Sequence, residues 1–262
     1  MFYCCGITNK GIMPHNEDAF LIGKEVRDEG SVSLNIDIPF VAAVSDGVSG
    51  ERSGEMASRM CLGIMGGMNF SSAENLVPDL YSVHNKLMDI GSQSLELNNM
   101  QTTLCGFIAV EKDKIISFNV GDSRLYLYRD DYIRQLTRDQ SLVQILYEEG
   151  SITFEETKTH VHRNIICPVF GNLKAKPQID TKEFEIQHGD ILVLCTDGLS
   201  DYVSALEIQE ILELPKNLEK RLEILVNKAL EKGSRDNITI IAAVYLETPE
   251  NKQPQENDGG TL

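Results

Sequence analysis

The chain predicts an α+β fold in which two mainly antiparallel sheets are flanked by helices. Four strands follow one another closely over 103–110, 114–119, 124–128 and 132–135, with Lys112-Asp113 and Asp130-Asp131 placed as hairpin turns. A meander of this kind belongs to an antiparallel sheet and argues against a doubly wound parallel one. Along the whole chain the patterning yields about eleven strands and four or five helices, which suggests two sheets with helices outside them.

Taken in order, strands are expected over 2–8, 19–23, 32–36 and 40–45, separated by Gly, Asn and Asp turns. A helix opens just after Gly54 and covers 55–65. A second covers 73–90, where Leu76, Leu80, Val83, Leu87 and Ile90 repeat at helical spacing as core packing. Beyond the meander, a helix over 140–149 is stopped by Gly150, and the polar stretch 151–176 reads as a mobile excursion. Strands over 178–186 and 190–196, helices over 205–214 and 218–232, and a closing strand over 237–246 complete the fold. Residues 1–246 are expected to form one domain, and 247–262, polar and rich in Pro, Gly and Asn, a disordered tail.

A net charge of −16 over 262 residues argues against nucleic acid or an anionic membrane as partner. The six cysteines show no Cys-x-x-Cys pair and no zinc-like spacing, and several sit in apolar runs as small buried hydrophobes. None is followed six residues later by arginine, so the loop of thiolate phosphatases is missing. The start lacks a signal-peptide pattern, and no stretch approaches the ~18 apolar residues of a membrane span. A cytoplasmic, soluble, monomeric protein is the expectation.

Three apolar runs break into an aspartate: residues 40–45 before Asp46-Gly47, residues 191–196 before Asp197-Gly198, and, in mirror image, Asp236-Asn237 before 238–244. A buried strand ending in Asp-Gly holds a carboxylate at its tip, and the glycine lets backbone and ions approach. Three such tips brought together would repel one another unless cations lay between them. Oxygen donors without a thiol or a histidine cluster favour Mg²⁺ or Mn²⁺ over zinc.

With these pieces in order, the chain resembles the PP2C-like family of metal-dependent protein phosphatases, especially its compact bacterial members. The matching segments are Asn16-Glu-Asp-Ala19, Val44-Ser-Asp-Gly-Val48 with Gly50, Gly54-Glu-Met-Ala-Ser58, Thr102-Thr103 and Val120-Gly-Asp-Ser-Arg124. Leu136-Thr-Arg-Asp-Gln-Ser141, His160-Val-His-Arg-Asn164, Cys195-Thr-Asp-Gly-Leu-Ser-Asp201 and Ser234-Arg-Asp-Asn237 follow in family order. The resemblance implies a four-layer α-β-β-α sandwich. It also implies that Asp46 bridges two divalent ions, that the Gly47 carbonyl binds one of them, and that Asp197 and Asp236 complete the other shell. Glu17 and Asp18 match an acidic pair that binds directly or through water, and Asp139 and Asp201 match ligands of a looser third ion. Asp139 reads equally as the N-cap of the helix at 140, and for Asp201 a purely structural role is also open. The implied reaction is hydrolysis of phosphoserine and phosphothreonine in proteins by a water that the metals activate, with no covalent protein nucleophile. Asp122 and Arg124 are expected to brace a tight turn, and Thr102 and Thr103 to pack and hydrogen-bond beneath the site. His160, His162 and Arg163 are expected in a solvated loop, and His15, His84 and His188 at the surface.

Two departures stand out. Relatives carry an arginine shortly before Asn-Glu-Asp that grips the substrate phosphate, whereas Gly11-Ile-Met-Pro-His15 has none; Lys10, Arg52 or Arg163 could replace it. Val48 and Glu51 stand where some relatives carry His, which leaves a metal-held water as the expected proton donor to the leaving alkoxide. The rival readings are a phosphoprotein-binding member without catalysis, and a phosphohydrolase working through an aspartyl phosphate. The second wants another Asp two residues from Asp197, where Cys195 and Leu199 stand.

Overall fold

Strand-forming runs that are apolar on both faces need cover on both faces, and the architecture supplies it. The structure, a computed structural model, describes residues 1–48, 53–70, 72–93 and 97–247. Gly50, Glu51, Arg52 and the tail from residue 248 onward lie outside the described residues.

The chain opens with β1 (Phe2–Asn9), β2 (Asp18–Ile22), β3 (Glu25–Arg27), β4 (Gly30–Ile36) and β5 (Phe40–Asp46), followed by α1 (Gly54–Gly66) and α2 (Ala73–Gly91). The meander is β6 (Leu104–Glu111), β7 (Lys114–Val120), β8 (Arg124–Arg129) and β9 (Tyr132–Gln135). Then come α3 (Leu142–Glu148), α4 (Phe154–Thr157), β10 (Asp180–Glu185), β11 (Ile191–Cys195), α5 (Asp197–Ser200), α6 (Ala205–Leu212), α7 (Leu218–Glu231) and β12 (Ile238–Tyr245). Two six-stranded sheets result, ordered β4-β1-β12-β11-β8-β9 and β10-β7-β6-β5-β2-β3. All the pairings within them are antiparallel.

The side-chain period of two explains the layers. Along β12, Ile241, Ala243 and Tyr245 enter the core between the sheets, whereas Ile238, Ile240 and Ala242 face α6 and α7. Along β5, Phe40, Ala42 and Val44 point between the sheets, and Val41 and Ala43 toward α1 and α2. Strands covered on both faces thus read as unbroken apolar runs although the sheets are antiparallel. Aromatic rings fill the inter-sheet layer: Phe2 lies 5.1 Å from Phe40 and Phe107 lies 5.7 Å from Phe40, both pairs edge-on. The four-layer α-β-β-α sandwich follows from these three cores.

The hairpin turns fall where the sequence puts them, with Asp113 (φ 62°), Asp130 (φ 50°) and Asp131 (φ 58°) in the left-handed region that Asp tolerates. Other expectations are corrected. The helix expected at 140 begins at Leu142, because Ser141 Oγ accepts from Gln144 N and caps it; Asp139 is therefore not the N-cap. The stretch 151–176 is anchored rather than loose: Thr102 and Phe170 exchange backbone bonds of 3.1 Å, and Cys167 N donates to Gln140 O at 2.7 Å. Val169 and Phe170 are buried. His84 is not at the surface but 3 % exposed on α2, its Nδ1 accepting from Gly171 N at 3.1 Å and its ring edge-on to Phe170. It stands four residues after Leu80 and three before Leu87, on the apolar stripe.

Phe107→Ala should empty the centre of the inter-sheet layer and lower unfolding stability by about 3–5 kcal/mol, read from urea denaturation. A loss under about 1 kcal/mol would mean that the aromatic cluster does not hold the sheets together.

Candidate metal centre and active site

Strand ends from both sheets meet at one rim of the sandwich and carry the acids there. Asp46 closes β5 directly opposite Asp18, which opens β2. Asp197 follows β11, and Asp236 precedes its partner β12. A hydroxyl network holds these ends. Thr103 Oγ1 accepts from Asp46 N at 3.0 Å, and Thr102 Oγ1 donates to Asp46 O at 2.8 Å. Thr196 Oγ1 donates to Asp18 Oδ2 at 2.8 Å, tying one sheet to the other, and itself accepts from Thr239 N at 3.1 Å. Thr102 and Thr103 thus do the hydrogen bonding expected of them.

Asn237 fastens the remaining pieces. Its Oδ1 accepts from Glu17 N at 2.7 Å, and its Nδ2 donates to Lys10 O at 2.9 Å and His15 O at 3.0 Å. The loop before Glu17 is therefore pinned beside Asp236. Gly47 and Gly198 are required by close approach: a Cβ at Gly47 would stand 2.2 Å from Gly54 O, and one at Gly198 would stand 1.8 Å from Asn237 O.

The electrostatics of this rim are unfavourable as they stand. Burial, then repulsion from Asp18, Asp197 and Asp236, pushes the Asp46 carboxyl well above the ordinary range. Burial, then Asp122 and Asp236, does the same to Asp197. Asp18 is 1 % exposed and raised to about 7, chiefly by burial; hydrogen bonds from Thr196, Thr239 and Asp46 pull against the rise. Asp122 is also raised to about 7, by burial and then by Asp139. Desolvation lifts Asp201 too, against the pull of Arg124 and Arg163.

Asp122, expected to brace a turn, stands buried among the other acids. It follows β7, and Gly121 (φ +115°) presses its turn so close to Thr103 that a Cβ would stand 2.7 Å from Thr103 Cγ2. The signal was present in Val120-Gly-Asp122, another apolar strand ending beside an acid. Asp139, by contrast, has both oxygens held by Arg124, with Nη2 2.6 Å from Oδ2 and Nε 3.0 Å from Oδ1, and Gln135 Nε2 adds 2.9 Å to Oδ1. Its carboxylate is committed to a guanidinium, which is the turn-bracing role foreseen for Arg124.

Asp197, Asp201 and Asp236 line a cavity of about 250 Å³ together with Arg163, Arg235 and Tyr202. A larger hollow of about 500 Å³ lies beside Asn16, Asp28, Glu55 and Arg59. There Asp28 is paired with Arg59 at 3.1 Å, whereas the carboxyls that burial and repulsion raise most, Asp197 among them, stand at the smaller cavity and the strand ends beside it. Lys10 contributes its carbonyl to Asn237, His160 is half-buried and His162 exposed, and Arg163 Nη1 lies 3.4 Å from Asp201 Oδ2.

The donor set suits hard divalent cations. Asp197 Oδ1 is buried without a hydrogen-bond partner among the described residues, and the glycines leave a cradle that any Cβ would fill. Among the described residues no three His, Cys, Asp or Glu side chains are yet drawn into a closed metal cage.

An antiparallel α-β-β-α sandwich with a carboxylate-lined centre at the strand ends defines a class of hydrolytic protein, and comparison with known proteins narrows it. The Protein phosphatase 2C family matches residues 15–232. A Serine/threonine phosphatase stp of Listeria innocua is 32 % identical over 244 residues, covering 89 % of this chain and 92 % of its own length. The serine/threonine phosphatase structure of S. agalactiae superimposes with a TM-score of 0.81 at 28 % identity, covering 94 % of this chain and 100 % of the other. The catalytic domain of PstP in complex with two manganese ions gives a TM-score of 0.75 at 25 % identity, covering 94 % and 100 %. The chain belongs to the protein phosphatase 2C family, and with it to the serine/threonine protein phosphatases, which are metal-dependent hydrolases. These likenesses lend no support to a catalytically silent member.

The acids make stability depend on pH in a stated direction. Asp18 and Asp122 bind protons more tightly folded than unfolded, so their contribution is full below the ordinary value of 3.8 and is lost as pH rises through about 7. The metal-free protein should therefore melt several degrees lower at about pH 8 than at about pH 5, and Mn²⁺ should raise the midpoint more at the higher pH. Scanning calorimetry reads both, and a Mn²⁺ effect absent at both values would count against a metal centre here.

Proposed function

We propose that the chain removes phosphate from phosphoserine and phosphothreonine in proteins with the help of two divalent ions, Mg²⁺ or Mn²⁺. Asp46 would bridge them, with the Gly47 carbonyl, Asp197, Asp236, Glu17 and Asp18 completing the shells directly or through water. The observation that carries this reading is the crowd of buried, mutually repelling carboxylates with one orphaned oxygen, Asp197 Oδ1. The two manganese ions of the PstP relative support the number and kind of metal.

For a third, looser ion, Asp201 and Asp122 are the better pair. Asp122 faces the charges of Asp139 and Asp201 and is offset chiefly by a bond within its own turn; Asp201 meets Arg163 by one contact of 3.4 Å, whereas Arg124 holds both oxygens of Asp139.

Bound ions of this kind supply a water activated for attack and offset charge on the phosphoryl oxygens. The protein's own part is positional. Thr102 and Thr103 hold Asp46 by its backbone, Thr196 orients Asp18, and Asn237 keeps Glu17 beside Asp236. Among the described residues no histidine lines the cavity, so solvent is left to protonate the departing alkoxide. Residues 1–246 would act as one domain, in the cytoplasm and as a monomer, on phosphorylated proteins. The net charge of −16 disfavours nucleic acid and anionic lipid as partners.

Mn²⁺-dependent release of phosphate from p-nitrophenyl phosphate and from phosphothreonine peptides tests the reading. Asp197→Ala and Asp46→Ala should each lower kcat by about a hundredfold or more, since a lost ligand costs at least what a lost partner of a ligand does. An inactive wild-type chain, or full activity in both variants, would reject it.

A further inference from the structure

The cavity over the acid centre must admit a phosphate dianion between carboxylates, and its mouth carries two guanidiniums. Arg163 and Arg235 line it with Asp197, Asp201 and Asp236. They are not equivalent. Arg163 is drawn to Asp201, 3.4 Å away. Arg235 is exposed, and among the described residues its guanidinium has neither an ion pair nor a hydrogen bond. It does not turn to its neighbour Asp236, whose Oδ1 accepts instead from Asn237 N at 2.8 Å.

The backbone that carries Arg235 is held on both sides. Ser234 Oγ donates to Gly198 O at 2.9 Å, and Ser234 N to Ala229 O at 2.9 Å. Arg235 N donates to Tyr202 OH at 3.4 Å, and Asn237 is bonded to the loop at Lys10 and His15. That loop, 10–15, contains no arginine, and Asn237 draws it against Asp236, next to Arg235. A planar cation with no ion pair among the described residues thus stands on a fixed base at the lining of the cavity that holds Asp197 and Asp236. A guanidinium fork matches two phosphoryl oxygens, and a pre-positioned base lowers the cost of holding it there.

We propose that Arg235 is the phosphate-gripping residue of this enzyme, setting its affinity for phosphorylated substrate. The assignment rests on the phosphatase reading above. Arg163, in contrast, serves as the partner of Asp201.

The test compares wild type, Arg235→Ala, Arg235→Lys and Arg163→Ala, each with Mn²⁺. It measures KM and kcat for a phosphothreonine peptide, the dissociation constant of inorganic phosphate by calorimetry, and the melting midpoint. Arg235→Ala should weaken phosphate binding and raise KM by about ten- to a hundredfold, the worth of a charge-assisted contact, with kcat changed by less than about threefold. The midpoint should not move, since the side chain is exposed. Lysine should recover part of the loss by charge without the fork, and Arg163→Ala should shift phosphate affinity less than Arg235→Ala does. An active wild type whose KM and phosphate affinity are unmoved by Arg235→Ala, or in which Arg163→Ala carries the whole loss, overturns this inference alone. A wild type without hydrolysis overturns the phosphatase reading and this inference with it.

Discussion

Repulsion among carboxylates that the fold forces together is the constraint from which the rest of this structure is best understood. Asp18 and Asp46 stand directly opposite on paired strands, an arrangement that destabilises a sheet unless protons or cations intervene. Asp197 and Asp236 are brought to the same rim by the pairing of β11 with β12. No single sheet could do this. The hydrogen bond from Thr196 to Asp18 crosses from one sheet to the other, so the acid cluster sits on the seam of the sandwich. Burial and mutual repulsion raise the proton affinity of these carboxyls, which links folding to pH.

The same seam explains why the core must be so thoroughly apolar. β5, β11 and β12 each present alternate residues to the inter-sheet core and to a helical layer. Strands buried on both faces do not slide, because a slip of one residue would exchange the two faces and break both sets of contacts. Register along β5 and β12 therefore sets where their terminal aspartates stand. Precision at the rim is a consequence of packing well inside the molecule.

Much of this was legible in the chain. The meander, the hairpin aspartates and the three aspartate-tipped strands are local signals, each carried by a period of two or by a turn preference. What was not legible depended on contacts between distant segments. Asp122 looked like a turn residue because nothing local reveals that Gly121 packs on Thr103. His84 looked like a surface residue because a polar side chain on an apolar stripe carries no sign of the Gly171 amide that satisfies it. Asp139 read equally as a third-ion ligand and as a cap, because its observed partner, Arg124, lies fifteen residues away across a hairpin. The short helix α5 escaped notice since its four residues are fixed by the close approach of Gly198 to Asn237 and not by helical periodicity.

A distinction among the aspartates separates structural from chemical roles. Asp139 and Asp190 each have both carboxylate oxygens engaged by an arginine, Arg124 in one case and Arg129 in the other. Asp46 is the opposite: its amide and carbonyl are fixed by Thr103 and Thr102, so its position is set without engaging an arginine. Asp197 likewise keeps Oδ1 without a partner among the described residues, while its carbonyl accepts from Asp201 N at 2.9 Å. Asp139 and Asp190 thus carry a guanidinium as countercharge, whereas among the described residues Asp46 and Asp197 have no arginine on their carboxylates. By that criterion Asp46 and Asp197 differ from the arginine-bound pair, and of the two arginines lining the cavity among the described residues, Arg163 approaches a carboxylate, that of Asp201 at 3.4 Å.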